Sequence, residues 1–311
     1  MSKQRYTCGS ALLIVFWAIA IMSICVLGLI GFLYSDLDET TALKNDMHAR
    51  QLAGAGVAVG MHPSVSRGDP VLKQMLSDGE GFEVSLHSEG GRLNINNVLR
   101  NQQWSVLQNL FEEWGLPGDE IMSLTSAFKD RATNSIQPNS LQTDIPQVAD
   151  DPVVAVSGTN GVQSIIRLFS SVDEMSTVPG MNDVAQARPD WRDYFTVWSD
   201  GPLDLNDAPA DLIAAVTGVG MERAQQFVDA RVGPDAIRDT QDDLVFTDLN
   251  QVRSLLGMSQ EEFAAIQGMV SIQDSTARIE STGIFGTYKR KITVVVRKNV
   301  TPPVYFLWQE K

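Results

Sequence analysis

The chain has 311 residues, with 24 Lys and Arg against 38 Asp and Glu and a formal net charge of −14 at pH 7. A hydrophobic content of 43% is that of a folded protein and excludes a largely disordered chain. The acidic balance disfavours nucleic acid and anionic lipid headgroups as partners. The length allows an anchor followed by one large or two medium domains.

The first 35 residues contain a short basic leader and then a long apolar run. Lys3 and Arg5 precede the run, and the stretch from Ala11 to Tyr34 carries no charge. About 20 apolar residues in a helix cross a bilayer core, so the run predicts a transmembrane helix. Acidic residues follow it. The positive-inside rule therefore predicts a cytoplasmic N-terminus and an exported segment 36–311.

Several kinds of processing are compatible with such a start. A cleaved secretory signal usually has an apolar region of about 7–15 residues, which is shorter than this one. A lipoprotein signal would need a small residue where Ile24 precedes Cys25. A cut between Gly9 and Ser10, before the apolar run, is typical of prepilins. An uncleaved anchor is the remaining alternative.

The prepilin interpretation carries a further expectation. With Ser10 as the first mature residue, Ile14 is the fifth, where major pilins carry a glutamate. That carboxylate can pair with the N-terminus of a neighbouring subunit in the membrane, where an unpaired charge is costly. Ile14 cannot offer this pairing. A pilin with Ile14 is therefore expected to be a special, low-copy subunit.

Motifs that would indicate an enzyme are missing from the sequence. Both cysteines, Cys8 and Cys25, lie in the leader and the apolar run, so no disulfide is expected in the exported part. The three histidines have no metal-ligand spacing. There is no Gly-x-Ser-x-Gly, phosphate loop or Cys-x-x-Cys. We expect no catalytic residues and no required cofactor.

The helical pattern continues beyond the apolar run to about Gly60. Together with the run it predicts a helix of about 50 residues, roughly 75 Å long at 1.5 Å per residue. Leu43 and Met47 share one face. A neighbouring face carries small and apolar residues: Ala49, Leu52, Ala53, Gly56 and Val59. This second half of the helix is expected to pack on a soluble partner surface.

Strands and short helices are predicted after the long helix. Residues 61–79 form a loop with one or two helical turns at Val71–Leu76, and residues 81–87 alternate as a half-buried strand. Glu89-Gly-Gly predicts a turn, with residues 92–96 as the second arm of a hairpin. A helix capped near Asn96 or Asn97 follows. Residues 98–134 predict helices, and residues 133–164 predict a loop region.

A second informative pattern lies at residues 203–263. A helix is predicted with Asn206 or Asp207 as its cap and Pro209 in its first turn. Gly218 and Gly220 predict the sharp turn of a helix-hairpin-helix (SAM-like) unit. Such units often bind DNA. This one has 12 acidic against four basic residues, a net charge of −8, so a structural packing unit is the favoured interpretation.

Five aspartates lie in the second half of this segment: Asp235, Asp239, Asp242, Asp243 and Asp248. Carboxylate oxygens are the ligands that calcium prefers. The cluster lacks the residue order of an EF-hand loop. A solvated acidic loop is the favoured interpretation, with calcium at Asp239, Asp242 and Asp243 as the alternative.

The last 40 residues predict strands again. Residues 277–297 read as a hairpin that turns near Gly286, and Val304–Trp308 as a last short strand. The predicted fold class is α+β: a long N-terminal helix packed on an antiparallel sheet with a large helical insertion. The predicted borders are a leader at 1–9, a transmembrane part at 10–35, a pilin-like helix with first strands at 36–96, the insertion at 97–270 and closing strands at 271–311.

The chain resembles the K-type minor pseudopilins of type II secretion, the general secretion pathway protein K family. The resemblance covers nearly the whole chain and rests on five segments in order: Gly9-Ser-Ala-Leu-Leu-Ile-Val-Phe-Trp without glutamate at Ile14, Glu89-Gly-Gly-Arg-Leu-Asn-Ile-Asn, Phe169-Ser-Ser-Val-Asp-Glu-Met-Ser-Thr-Val-Pro-Gly-Met, Leu205-Asn-Asp-Ala-Pro and Gly218-Val-Gly. Family members often carry Asp-Trp-x-Asp-x-Asp where this chain has Ala127-Phe-Lys-Asp-Arg, which puts any ligand site on that segment in doubt.

The resemblance implies a subunit at the tip of a periplasmic pseudopilus, with the I- and J-type minor pseudopilins and the major pseudopilin as partners. It also implies a single-pass inner-membrane protein that prepilin peptidase cuts after Gly9 and methylates at Ser10. The alternatives are a minor pilin of a type IV pilus and a membrane-anchored DNA receptor. Nucleic acid is not an expected partner.

Overall fold

The computed structural model describes residues 8–77, 79–135, 153–157, 163–167, 169–240 and 242–311. Within these ranges the chain forms nine α-helices: α1 Cys8–Gly60, α2 Ile95–Arg100, α3 Trp104–Glu113, α4 Gly118–Ala132, α5 Met181–Ala187, α6 Ala210–Thr217, α7 Met221–Val232, α8 Leu249–Leu255 and α9 Gln260–Ile266. The same ranges hold twelve strands: β1 Lys73–Ser77, β2 Glu80–Ser88, β3 Leu93–Asn94, β4 Thr133–Ser135, β5 Val153–Ser157, β6 Gln163–Arg167, β7 Phe195–Thr196, β8 Leu203–Asp204, β9 Val270–Ser271, β10 Ala277–Phe285, β11 Tyr288–Arg297 and β12 Val304–Glu310. The predicted α+β class is confirmed.

Five antiparallel strands form the main sheet, in the order β1-β2-β10-β11-β12. Strand β10 pairs along its length with β2 on one side and β11 on the other. The β10–β11 hairpin turns at Gly286, whose φ of 59° is a backbone conformation that glycine adopts without steric cost. The chain leaves this sheet after Ser88 and returns at Ala277. The predicted insertion borders at 97 and 270 both lie within that excursion.

Helix α1 packs its second half directly on the sheet. Ala49 and Ala53 are fully buried, and a Cβ added at Gly283 of β10 would lie 2.0 Å from the Ala49 carbonyl oxygen and 2.3 Å from the Ala53 nitrogen. A Cβ at Gly56 would lie 2.3 Å from Ser281 Oγ. Small residues on both elements therefore let the helix backbone touch the strand. The predicted small-residue face is the face that packs.

Two hydrophobic cores lie on either side of the point where the chain leaves the sheet. The smaller one fills the space between α1 and the sheet, with Val57, Phe82, Val84, Ile279 and Val294 among its members. The larger one belongs to the helical body and is rich in aromatic side chains, among them Phe111, Phe128, Phe169, Trp191 and Phe195. Burial of these side chains, at about 25 cal/mol per Å² of apolar surface, is the main stabilising contribution in each part.

The chain between Val71 and Arg100 differs from its prediction at three places. The N-cap of helix α2 is Asn94, whose side chain accepts the Asn97 N–H, and not Asn96 or Asn97. Residues 73–77 form strand β1 on the sheet edge rather than a helical turn, and the short helix there is a single 3₁₀ turn at Pro70–Leu72. Strand β3 does not return along β2 as a hairpin arm. It pairs in parallel with β7. The cause is the 3₁₀ turn at Glu89–Gly91, which carries the chain off the sheet and into the helical body.

Two further predictions need correction. The described parts of the predicted loop region at 133–164 are strands β4, β5 and β6, which form a small antiparallel sheet; the rest of that prediction lies outside the described residues. Helix α6 is capped by Pro209, which is extended, and not by Asn206 or Asp207. Both side chains are engaged elsewhere, as described below.

Candidate functional site

The first part of α1 exposes an apolar surface on all sides. Every described side chain from Leu13 to Phe32 is exposed except that of Ala20, which is half-buried, and Ile14 is 68% exposed. An 18-residue window of this helix has a mean hydropathy of 2.8. In the part of the chain that the structure describes, it is the one helix long and apolar enough to cross a membrane. The segment is therefore a candidate anchor, consistent with a single-pass membrane protein.

Gly9 and Ser10 lie in the first turn of α1 as described, directly before this apolar segment. The geometry of the backbone there is helical, and it neither tests nor excludes a cut between them. The cleavage site stays a prediction from the sequence.

The stretch of α1 between the apolar segment and the sheet carries exposed apolar side chains. Leu37 is 60% exposed, Leu43 61% and Met47 58%. The predicted common face of Leu43 and Met47 thus lies away from the sheet, while Ala49 and Ala53 on the neighbouring face are buried. This face is free to contact another polypeptide.

Two bidentate ion pairs hold α1 against the far edge of the sheet. Arg290 donates to both carboxylate oxygens of Asp46, the longer contact being 2.8 Å. Arg50 donates to Glu310 at 2.6 and 3.0 Å. The Arg290 hydrogen bond lowers the pKa of Asp46, and the Arg50 hydrogen bond lowers that of Glu310. These pairs lie at the surface and orient the helix more than they stabilise it.

The junction between sheet and helical body is built on Glu89-Gly90-Gly91. All three residues are buried. A Cβ on Gly90 would lie 2.7 Å from Asp274 Cβ, and a Cβ on Gly91 would lie 2.6 Å from Asp207 Cβ. Glycine is therefore needed twice, because the outgoing chain passes against both the returning chain and the Asp207 turn. The motif predicted as a simple hairpin turn is the crossing point of the fold.

Glu89 forms a buried ion pair at this crossing. Its carboxylate is fully buried and accepts bonds from Arg278 Nε at 2.8 Å and Nη2 at 3.0 Å. It also accepts a hydrogen bond of 2.5 Å from the Thr196 hydroxyl. Arg278 belongs to β10 of the sheet, whereas Thr196 belongs to β7 of the helical body. One carboxylate thus connects both parts of the molecule.

Asp207 is the centre of a second polar cluster at the junction. It accepts a hydrogen bond from Arg67 Nη1 at 3.1 Å, pairs with Arg238, and accepts the backbone N–H of Ser88. Burial acts to raise the pKa of Asp207, but the hydrogen bond with His87 and the charges of Arg67 and Arg238 outweigh it and hold the pKa at about 2. The aspartate is therefore ionised at neutral pH and ties β2 to the helical body.

Asparagine side chains bind distant loops in two of the motifs. Asn96 donates to the Phe169 carbonyl at 2.9 Å and accepts from the Phe169 N–H at 2.8 Å. Asn206 donates to the carbonyls of Phe246 and Ile272 and accepts from the Phe246 N–H. Each side-chain amide thus supplies a hydrogen-bond donor and an acceptor to backbone groups of a loop, which has no neighbouring strand to supply them. Residues of three of the five segments that carry the family resemblance thus link parts of the chain that are distant in sequence.

Helices α6 and α7 are joined by the turn Gly218–Gly220. Gly218 has φ 73°, in the left-handed region that favours glycine, and Gly220 precedes α7 as its N-cap. The four basic residues of 203–263 bond this chain's own groups: Arg223 the carbonyls of Leu256 and Gly257, Arg231 those of Leu205 and Ala208, Arg253 that of Met258, and Arg238 the Asp207 carboxylate. This use of the arginines agrees with a structural packing unit.

The aspartates considered for calcium already have protein partners. Asp239 is paired with Arg67, and Asp243 Oδ2 accepts the Asp239 N–H at 2.8 Å. Asp242 accepts from the Thr240 hydroxyl at 2.6 Å, and Asp248 caps α8. No group of three or more His, Cys, Asp or Glu among the described residues is arranged to hold a metal ion. Calcium at Asp239, Asp242 and Asp243 stays a prediction from composition.

Two residues of the junction between the sheet and the helical body, Arg278 and Arg67, were not predicted from the sequence. Arg278 lies in an alternating strand, and nothing in the sequence distinguishes it from the exposed basic residues of the next strand. Arg67 lies in a loop without any motif. Only an indirect feature of the sequence points to these two arginines. Glu89 and Asp207 each lie in a motif rich in Gly or Asn, and a carboxylate that is buried needs a cationic partner.

The comparisons with known proteins give one kind of match. No protein-family model matches the chain, and no curated protein sequence matches it. Among solved structures, the chain is similar to a chain of the crystal structure of the GspK-GspI-GspJ complex from the enterotoxigenic Escherichia coli type 2 secretion system. The TM-score is 0.53 at 12% sequence identity, over 89% of this chain and 98% of the other. The chain has a GspK-like fold.

Proposed function

We propose that this chain is a minor pseudopilin of a type II secretion system, located at the tip of the pseudopilus. There it supports initiation and assembly of the filament and so the export of proteins across the outer membrane. The GspK-like fold, with an apolar N-terminal helix and a large helical body inserted between adjacent strands β2 and β10, carries the proposal. The role is structural and includes no catalysis.

Two features support the tip position. The inserted body spans residues 89–276 and adds bulk beside the sheet, which a repeating filament lattice would have to accommodate at every subunit. Ile14 offers no carboxylate to the N-terminus of a neighbour. A subunit at the end of a filament has no subunit above it, so both features are tolerated there. In this arrangement the inner membrane holds the apolar helix and the body lies in the periplasm.

The proposed partners are the I- and J-type minor pseudopilins, and below them the major pseudopilin. The similar structure is a complex of GspK with GspI and GspJ. The exposed face of Leu43 and Met47 on α1 is an apolar surface close to the membrane, where the helices of neighbouring subunits would run side by side.

The experiment is co-expression of the chain with the I- and J-type pseudopilins of the same secretion system, followed by affinity purification through a tag on the chain. A stable complex with both is expected, and labelled chain is expected only at filament ends. Recovery of pilus subunits instead would favour the type IV alternative. Binding of double-stranded DNA at physiological salt, without the pseudopilins, would favour the DNA receptor.

A further inference from the structure

Strand β12 is an open edge of the main sheet. It pairs with β11 on one side, and no strand of the described chain lies on its other side. A bulge at Phe306 separates its first two residues from its regular part, Leu307–Lys311. From Asn299 to Gln309 the chain carries no charged side chain. Charged side chains are one means by which proteins prevent another strand from adding to an edge, and this stretch lacks them.

The backbone groups of the regular part point in alternating directions. Lys291 and Lys311 exchange two backbone hydrogen bonds, of 3.0 and 2.9 Å. Because hydrogen-bonded pairs alternate with non-hydrogen-bonded pairs along an antiparallel ladder, Trp308 and Glu310 belong to the non-hydrogen-bonded pairs. The N–H and C=O groups of these two residues therefore point away from β11, to the open side. This spacing of donors and acceptors fits the backbone of another extended chain.

The side chains beside these backbone groups form an apolar strip. Trp308 is 50% exposed and Tyr305 is 54% exposed, and their ring centroids lie 6.4 Å apart. Trp308 lies on the α1 side of the sheet, because its ladder partner Val294 is buried in the core between α1 and the sheet. An added strand would cover the exposed part of the indole with a cross-strand side chain of its own.

The same flank of the molecule includes the exposed face of α1. Arg50 of α1 donates to Glu310 of β12, so Arg50 marks the side of the helix that is turned towards this edge. At about 100° per residue, Leu43 and Met47 lie within roughly 60° of Arg50 around the helix. A subunit whose helix contacts the face of Leu43 and Met47 is thus brought next to the β12 edge.

We propose that the β12 edge binds an extended segment of a neighbouring pseudopilin subunit, which adds to the five-stranded main sheet as a further strand. The backbone of that segment exchanges hydrogen bonds with Trp308 and Glu310, and one of its apolar side chains packs on the Trp308 indole. The inference rests on the proposed function, which supplies the neighbouring subunit. It adds a contact at the sheet to the helix contact at Leu43 and Met47.

The test is co-purification of the I- and J-type pseudopilins with the full chain, with a proline placed on the edge. Glu310→Pro removes one outward N–H and leaves the hydrogen bonds between β12 and β11 in place. Glu310→Ala is the matched control, because it loses the same ion pair with Arg50 and keeps the N–H. Recovery of at least one partner is expected to be about fivefold lower with Glu310→Pro than with Glu310→Ala, through the lost hydrogen bond. Equal recovery of both partners with the two variants would overturn the proposal.

A second variant keeps the proposal testable if Glu310→Pro does not fold. Trp308→Ala removes an exposed aromatic side chain and is expected to lower the same recovery about fivefold. Its control is Met122→Ala, at a position of α4 that is 71% exposed. Recovery that Trp308→Ala leaves unchanged would overturn the proposal. If the unmodified chain recovers neither partner, the proposed function itself is contradicted, and this inference with it.

Discussion

Glu89 and Arg278 lie where sheet and helical body meet, and their ion pair is buried. Removing the charge of one partner leaves the other uncompensated in a low-dielectric interior. Glu89→Gln is therefore expected to lower the free energy of unfolding by about 3–5 kcal/mol. Chemical unfolding followed by tryptophan fluorescence measures this.

The matched control for that substitution is Glu310→Gln, which removes the same charge from a bidentate arginine pair at the surface. Water and salt replace such a partner readily, so the stability of this variant should stay close to that of the unmodified chain. Equal losses of unfolding free energy in the two variants would mean that burial does not strengthen the contribution of the Glu89–Arg278 pair to stability.

Asp204 predicts a specific pH dependence. Burial raises its pKa to about 6, from an ordinary value of 3.8. The folded state therefore holds this proton more tightly than the unfolded state between about pH 4 and 6. The contribution of protonated Asp204 to the free energy of unfolding is fully present below pH 4. It is lost as the pH rises through 6, a change of roughly 2–3 kcal/mol. Asp204→Asn should flatten the stability profile in this range.

The pKa shift of Asp207 has the opposite sign to that of Asp204 and serves as an internal comparison. Its pKa of about 2 lies below the ordinary value, so its contribution is present above pH 4 and is lost as the pH falls towards 2. Asp207→Asn should lower stability at neutral pH and leave the slope between pH 4 and 6 in place. A profile that Asp204→Asn does not change would contradict the assignment to Asp204.

At the scale of elements, the contact of α1 with β10 depends on glycine. Gly283→Ala would place a Cβ against the backbone of Ala49 and Ala53, which cannot rotate away. The expected loss is about 2–3 kcal/mol or more in unfolding free energy. Gly54→Ala is the control, because its Cβ meets nothing within 4 Å. That variant should gain roughly 0.5–1 kcal/mol from helix propensity. Chemical unfolding of both variants tests the packing of α1 on β10: the unfolding free energy should fall for Gly283→Ala and rise for Gly54→Ala.

The exposed face of α1 gives a prediction on assembly. Met47→Glu adds a charge to the face shared with Leu43 and removes no contact within the chain. Folding should be unaffected, while recovery of the I- and J-type partners in co-purification should fall at least fivefold. Thr41→Glu, the same charge at an exposed position about 120° around the helix from Met47, is the control. Equal recovery with both variants would show that this face does not contact the partners.

The sequence was sufficient for the elements that have strong periodicity. The long helix follows from its apolar run and its small-residue face, and the β10–β11 hairpin from alternation with a glycine turn. Strand β1 and the pairing partner of β3 were not predicted. Residues 73–77 have neither a clean helical nor a clean strand period, and Leu93 pairs with Phe195 across 102 positions. The same holds for Arg67 and Arg278, whose roles appear only when the fold brings carboxylates to them.

At the scale of the whole molecule, the fold joins an apolar helix to a small sheet, with a helical body inserted between two of its strands. Three of the five motifs that carry the family resemblance lie where distant parts of the chain meet: Glu89-Gly-Gly at the crossing, Asn96 with Phe169, and Asn206 with Phe246. A junction built on buried ion pairs suits a subunit that holds a large body on an apolar helix, as the proposed function requires.

The most direct measurement for the pseudopilin account is the mass and N-terminal sequence of the chain isolated from membranes, with and without prepilin peptidase. The account predicts a mature chain that begins with methylated Ser10 and forms only when the peptidase is present. An intact Met1, or a cut beyond the apolar run in the presence of the peptidase, would contradict it.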